Sequence, residues 1–189
     1  TYQLDGVNID FEGLASSDRG SLLNGFLLKL TNYIHANLPG KEVSFDGPAV
    51  NWGGWNLNGL VESVDQVFIM AYDYNGSWSS NTGAVAPLVD PSGGISVSKS
   101  LNNDYSTAIA NHPEKLILGI PYYGKHWETS TSVAGSSINT YIGSRGLFFT
   151  TTGFKVVEVT NRGFNSEPAT NCLFPIAKNA VVVKRIPMS

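Results

Sequence analysis

Cysteine is almost absent from this chain. Its single Cys172 among 189 residues excludes an internal disulfide and a cysteine-rich metal site, and leaves that side chain the role of a small packing residue. Charge is scarce too: 14% of residues are charged, the net charge is -3, and no run of Lys or Arg exceeds two. That leaves no electrostatic footprint for nucleic acid or an anionic membrane surface. No apolar stretch approaches the roughly 18 residues that span a bilayer. No pair among His35, His112 and His126 has metal-ligand spacing, and the glycines around Gly53 and Gly93 form no phosphate-binding pattern. Neither a metal nor a cofactor is expected. There is no initiator Met and no visible signal peptide, since Thr1 leads almost directly into an acidic strand. A segment of something longer is expected. With 42% hydrophobic residues and 20 Gly, the composition is that of a globular protein.

What is present concentrates in Leu4 to Gly13, L-D-G-V-N-I-D-F-E-G. An apolar file (Leu4, Val7, Ile9, Phe11) interleaves with a polar one (Asn8, Asp10, Glu12). Period-two alternation predicts a β-strand. Residues two and four apart share a strand face, so Asn8, Asp10 and Glu12 project together. Adjacent carboxylates push their proton affinities apart, which keeps one available as an acid. An exposed edge strand with a wet polar face is the bland alternative.

Strand and helix then alternate. Ser17 or Asp18 is the expected N-cap of an amphipathic helix carrying Leu22, Leu23, Phe26, Leu27, Leu30, Tyr33, Ile34 and Leu38, stopped by Pro39-Gly40. Further strands are expected at Glu42 to Val50, Gln66 to Tyr74 and Lys115 to Tyr123, with short helices near Leu57 to Ser63 and Asp104 to Asn111. The third strand is nearly all apolar, as when both faces are covered. This rhythm predicts parallel strands with helical crossovers, about half of a (β/α)8 barrel. From Gly146 the rhythm stops, leaving a possible hairpin over Leu147 to Thr160 and no visible chemistry.

Three segments fall in order on three of these strands: D-G-V-N-I-D-F-E (Asp5 to Glu12), M-A-Y-D-Y (Met70 to Tyr74) and G-I-P-Y-Y-G-K-H-W (Gly119 to Trp127). Together with the loop Gly76 to Leu88 they resemble the chitinases of glycoside hydrolase family 18, over about Tyr2 to Ser137. The resemblance implies an α/β fold, a partial TIM barrel holding about the fourth to seventh strands. It implies a catalytic portion over 1–145 and a divergent segment over 146–189. It also implies a secreted retaining enzyme whose nucleophile is the substrate's own acetamido oxygen. Carried over, Glu12 is the general acid, Asp10 supports its proton and the acetamido N–H, and Tyr72 orients the acetamido oxygen. Asn8, Asp73 and Met70 contact or shape the sugar pocket, with Trp78 and Tyr123 as further substrate-binding residues. Chitin or chito-oligosaccharides are the expected partners, and a monomer is expected for the full-length parent.

The departures are informative. Asn8 stands where the family often has Asp, which removes a negative charge and predicts a changed pH profile. No Trp follows Trp127 to supply the usual pocket floor of an eighth strand. Trp52 and Trp55 lie in loops on the site face, either as sugar platforms or as ordinary packing. One of Tyr122 and Tyr123 is expected in the core by alternation, Trp127 near the barrel rim, His35 and His112 at the surface, and Asp5 in a structural hydrogen bond. A sugar-binding lectin on the same scaffold, and a hydrolase of peptidoglycan or N-glycans, are the alternative functions.

Overall fold

The computed structural model describes residues 4–90, 92–131, 133–150 and 153–157. Its strands fall into two sheets. β1 (Gly6–Ile9), β2 (Glu42–Gly47), β3 (Gln66–Ile69) and β4 (Leu116–Leu118) run parallel in the order β1-β2-β3-β4. β5 (Tyr123–Thr129), β6 (Ile138–Thr150) and β7 (Gly153–Val157) form an antiparallel meander. Its β6–β7 pair is the described part of the hairpin read over Leu147 to Thr160; residues 151–152 and 158–160 of that reading lie outside the described residues. The crossovers of the first sheet are α1 (Ser21–Asn37), α2 (Leu57–Ser63), and a composite of α3 (Val97–Lys99), a π turn over Ser100–Asp104 and α4 (Ser106–Asn111).

One face of the parallel sheet makes the core. Val43 and Phe45 of β2 and Val67 and Ile69 of β3 are buried against Leu23 and Leu27 of α1 and Leu57, Leu60 and Val61 of α2. Burying each such side chain stabilises by roughly 1.5–3 kcal/mol. Hydrogen bonds lock the two helices together: Thr31 Oγ1 donates to the Ser63 carbonyl at 2.9 Å and Asn24 Nδ2 to that of Asn56 at 3.0 Å. The alternate file (Asn8, Ser44, Asp46, Gln66, Phe68) faces the other way, and none of it is fully buried. Sequential strand order with helices on one face is the arrangement of a barrel wall. Among the described residues β3 is thus covered by helices on one face only, not on both as its apolar sequence implied.

The strands are shorter than expected, for local reasons. β2 stops at Gly47, before Pro48. β3 stops at Ile69 rather than Tyr74: the Ala71 and Tyr72 N–H groups turn back to the Ile69 and Met70 carbonyls, Asp73 adopts a left-handed φ of 57°, and the Tyr74 N–H turns to the Val85 carbonyl. β4 ends at Leu118, ahead of Pro121, and the predicted continuation through Tyr123 instead opens β5 of the other sheet. Helix α1 begins at Ser21, after Gly20, with no side-chain cap, so neither Ser17 nor Asp18 has the role assigned to it. Gly20 takes φ 64°, and a Cβ there would lie 2.8 Å from the Gly54 carbonyl oxygen. The close approach of two loops therefore sets the helix start. Of the expected apolar stripe on α1, Leu23 and Leu27 are buried and Leu30 and Ile34 pack beside them, while Leu22, Phe26, Tyr33 and Leu38 are exposed.

Candidate active site

The C-terminal ends of the parallel strands deliver the polar groups to one place. Asn8 lies within β1, and Asp10 and Glu12 follow directly after it; all three side chains are exposed. The parallel register sets Asn8 beside Ser44 of β2. Ser44 Oγ donates to Asn8 Oδ1 at 2.7 Å, and Asn8 Nδ2 donates to Asp46 Oδ2 at 3.0 Å. Tyr72 comes from the irregular segment after β3. Burial, and then the carboxylates of Asp46, Glu12, Asp10 and Asp73 in that order, push its hydroxyl above the ordinary phenol value. The phenol is thereby held in its protonated form by burial and by four carboxylates on or just past three strands.

Asp73 is held from the second sheet. Tyr123 donates its hydroxyl to Asp73 Oδ1 at 2.8 Å, and Lys125 Nζ sits 2.8 Å from the same oxygen. The Lys125 side chain is only 7% exposed. Its ammonium lies 5.1 Å from the Tyr123 ring centre and 5.9 Å from that of Trp78. Burial and the contact with Asp73 raise the Tyr123 phenol as well. The Tyr72 and Tyr123 rings meet edge-on at 6.3 Å. The meander thus fixes one side of the site through β5. Met70 is half-buried just past β3, its N–H bonded to the Gly47 carbonyl at 2.9 Å. Trp78 is 64% exposed, its ring folded back over Gly76.

The loops after β1 and β2 are tied by Arg19, which donates to the carbonyls of Leu14 at 3.0 Å and Gly53 at 2.8 Å and stacks 5.5 Å from the Trp55 ring centre. Trp55 packs on Phe45 at 6.2 Å, so of the two tryptophans here it is a packing residue, while Trp52 is 65% exposed. Neither Tyr122 nor Tyr123 enters the core as alternation suggested: Tyr122 is 71% exposed and Tyr123 is drawn to Asp73. Trp127 lies on β5, its ring 6.4 Å from that of Tyr141. Asp5 faces Lys41 at 3.4 Å, away from the site. His35 bonds Asp65 at 3.0 Å on the helical side. Among the described residues no group of His, Cys, Asp or Glu side chains could hold a metal ion.

The sequence reading missed Ser44, Asp46, Arg19 and Lys125. Ser44 and Asp46 alternate with Val43 and Phe45, a signal that predicts a strand with a polar face. Only the register against β1 makes that face part of the site.

Comparison with known proteins agrees with this architecture. The family model described as glycosyl hydrolases family 18 matches residues 1–170, beyond Ser137, where the motif resemblance ended. A probable chitinase 2 of Drosophila melanogaster is 36% identical over 101 residues, covering 53% of this chain and 20% of that protein. Human di-N-acetylchitobiase is 30% identical over 135 residues, covering 66% of this chain and 32% of that protein. The crystal structure of a family chitinase from Cycas revoluta in complex with (GlcNAc)3 superposes with a TM-score of 0.63 at 21% identity, over 82% of this chain and 54% of that one. The chain thus spans a fifth to a third of these curated relatives and about half of the solved structure.

Proposed function

The chain belongs to glycosyl hydrolase family 18, and from that premise we propose that it carries the acid and the acetamido-orienting groups of a chitinase-type hydrolase. The reaction is cleavage of β-1,4 bonds beside N-acetylglucosamine with retention of configuration. Glu12 gives its proton to the leaving glycosidic oxygen. The acetamido oxygen of the sugar attacks the anomeric carbon, so no protein nucleophile is required. Asp10 accepts the acetamido N–H and offsets the positive charge of the oxazolinium ion. Tyr72 donates to the acetamido oxygen and aligns it for attack. Water then opens the ion as Glu12 takes a proton back.

One observation carries this reading: a phenol that keeps its proton, amid the carboxylates of Glu12, Asp10, Asp46 and Asp73, at the C-terminal edge of a barrel wall. Asp73, tied to Tyr123 and Lys125, and the exposed ring of Trp78 are the sugar contacts on the β3 side. Relatives named as chitinases, and a fold neighbour solved with (GlcNAc)3, support chito-oligosaccharides as the substrate class.

Proton NMR of chitotetraose with the full-length protein tests it. The initial product is the β-anomer, and Glu12→Gln lowers the rate at least about 100-fold. Undiminished turnover in Glu12→Gln sinks the assignment. Broadened sugar signals without product favour a lectin instead.

A further inference from the structure

We propose that Asp46 is a positioning residue of this site, returning from β2 the carboxylate that β1 lacks at Asn8. The inference rests on the function proposed above and adds a residue to it.

The hydrogen bonds carry the case. An ionised carboxylate only accepts. Asp46 Oδ2, 3.0 Å from Asn8 Nδ2, therefore requires a donor at position 8. Ser44 Oγ donates to the other end of the same amide at 2.7 Å, which fixes the orientation of the Asn8 amide. Asn8 and Asp46 are thus a matched pair: an Asp at position 8 would set two acceptors against each other unless one took a proton. The pair carries one negative charge beneath Asp10 and Glu12, as a single Asp on β1 would, but its carboxylate is anchored on the neighbouring strand. After burial, that charge is also the largest single influence on the Tyr72 hydroxyl, ahead of Glu12, Asp10 and Asp73 taken one at a time. Asn8 therefore does not leave the site one charge short, as the sequence alone implied.

Asp46 acts on Tyr72 at the end of β3, and the other charges acting on that hydroxyl are Glu12 and Asp10 from the end of β1 and Asp73 beside it. Behind Asp73 stand Tyr123 and Lys125 of β5. Removing the Asp46 charge removes a repulsion that favours protonation of its neighbours. The alkaline limb of activity then moves to lower pH.

The test is a reciprocal exchange in the full-length protein, assayed on chitotetraose beside the Glu12→Gln control. Asp46→Asn lowers kcat roughly 10- to 100-fold with little change in KM, and moves the alkaline limb of the pH–rate profile to lower pH. Asn8→Asp alone is also impaired. The double variant Asn8→Asp with Asp46→Asn recovers most of kcat and the wild-type limb. An unmoved pH limb in Asp46→Asn, or a double variant no better than either single, overturns the proposal. A second readout needs no turnover: the side-chain amide resonances of Asn8 titrate with a carboxylate in the wild type and lose that titration in Asp46→Asn. A flat wild-type titration overturns the pair. Absence of any Glu12-dependent hydrolysis overturns the proposed function and with it a catalytic use for Asp46, while the amide titration still decides whether the pair exists.

Discussion

Asp73 shows how a single residue is forced into place by what surrounds it. Its left-handed backbone, φ 57°, costs an L-residue roughly 1–2 kcal/mol. The site accepts that cost because the turn aims one carboxylate oxygen at both Tyr123 and Lys125. Lys125 is almost fully buried with its ammonium against that oxygen, while the Asp73 side chain is 39% exposed. Deleting one partner of a half-exposed pair costs less than deleting one of a fully buried pair, about 3–5 kcal/mol. Asp73→Ala keeps the strained backbone and removes this carboxylate, so it destabilises by about 1–3 kcal/mol. Asp73→Gly strips the same partner but relieves the backbone, and is more stable than the Ala variant by about 1 kcal/mol. Urea midpoints of the two variants in the full-length protein decide this. Equal midpoints would show that the turn is unstrained; a wild-type midpoint in both would show that Lys125 does not rely on Asp73.

At the scale of elements, the site depends on how firmly each crossover is docked to its strand. The last crossover docks through Tyr105, fully buried at the C-terminal end of the π turn, whose hydroxyl donates to the Pro48 carbonyl just past β2 at 2.9 Å. The ring sits so close that a Cβ on Gly47 would lie 2.6 Å from the hydroxyl, which makes glycine obligatory at the end of β2. Burial above all, then the charge of Asp104, raises the Tyr105 phenol far above its ordinary value. The folded chain thus holds this proton more tightly than the unfolded chain. That contribution is complete below the unfolded tyrosine value of about 10 and is lost as pH climbs above it. Tyr105→Phe orphans the Pro48 carbonyl and costs about 1–3 kcal/mol at neutral pH. Above pH ~10 its stability declines less steeply than that of the wild type, because one proton-linked contribution is gone. Tyr72, Tyr74 and Tyr123 retain theirs. Denaturant midpoints at neutral and alkaline pH measure both effects; parallel pH curves would count against the linkage.

Elements were also the scale at which the sequence was most readable. Period-two and period-3.6 patterns placed β1, α1, β2, α2, β3 and the β6–β7 hairpin, because each depends on its own residues. Strand ends were not readable: Asp73 and Pro121 cut β3 and β4 short through backbone geometry and lost donors, which hydrophobicity does not report. Within the site, Glu12, Asp10, Asn8, Tyr72 and Asp73 stood out by motif. Asp46 and Lys125 did not, because their meaning lies in pairing across strands, with Asn8 and with Asp73. The register that makes those pairs is a property of the sheet, not of either segment alone.

For the molecule as a whole, the decisive feature is the apolar surface exposed at the two edges of the parallel sheet among the described residues. Val7 on β1 and Phe11 just past it, Leu22 and Phe26 on the adjoining α1, and Ile117 and Ile120 at β4 are all exposed, and Phe11 and Phe26 stack on each other at 6.0 Å. Among the described residues β1 and β4 are the edges of this sheet, and an edge strand presents a row of unpaired backbone groups. In a closed barrel such edges are paired and the inward file is covered. Here the inward file bears the acidic residues of the site as well, so the geometry of Asn8, Asp10 and Glu12 is exposed to whatever disturbs that edge. Expressed by themselves, these 189 residues are therefore expected to unfold over a broad transition, to bind a hydrophobic dye while nominally folded, and to self-associate at micromolar concentration. Light scattering, dye fluorescence and near-ultraviolet circular dichroism check the three. A monomer with a sharp, high-temperature transition and no dye binding would mean that the helix-covered face alone, built on Val43, Phe45, Val67, Ile69 and the helices above them, suffices to hold the wall of the barrel. In that case the acidic file would be presented on a stable open sheet, and chito-oligosaccharide binding could be measured on these residues directly.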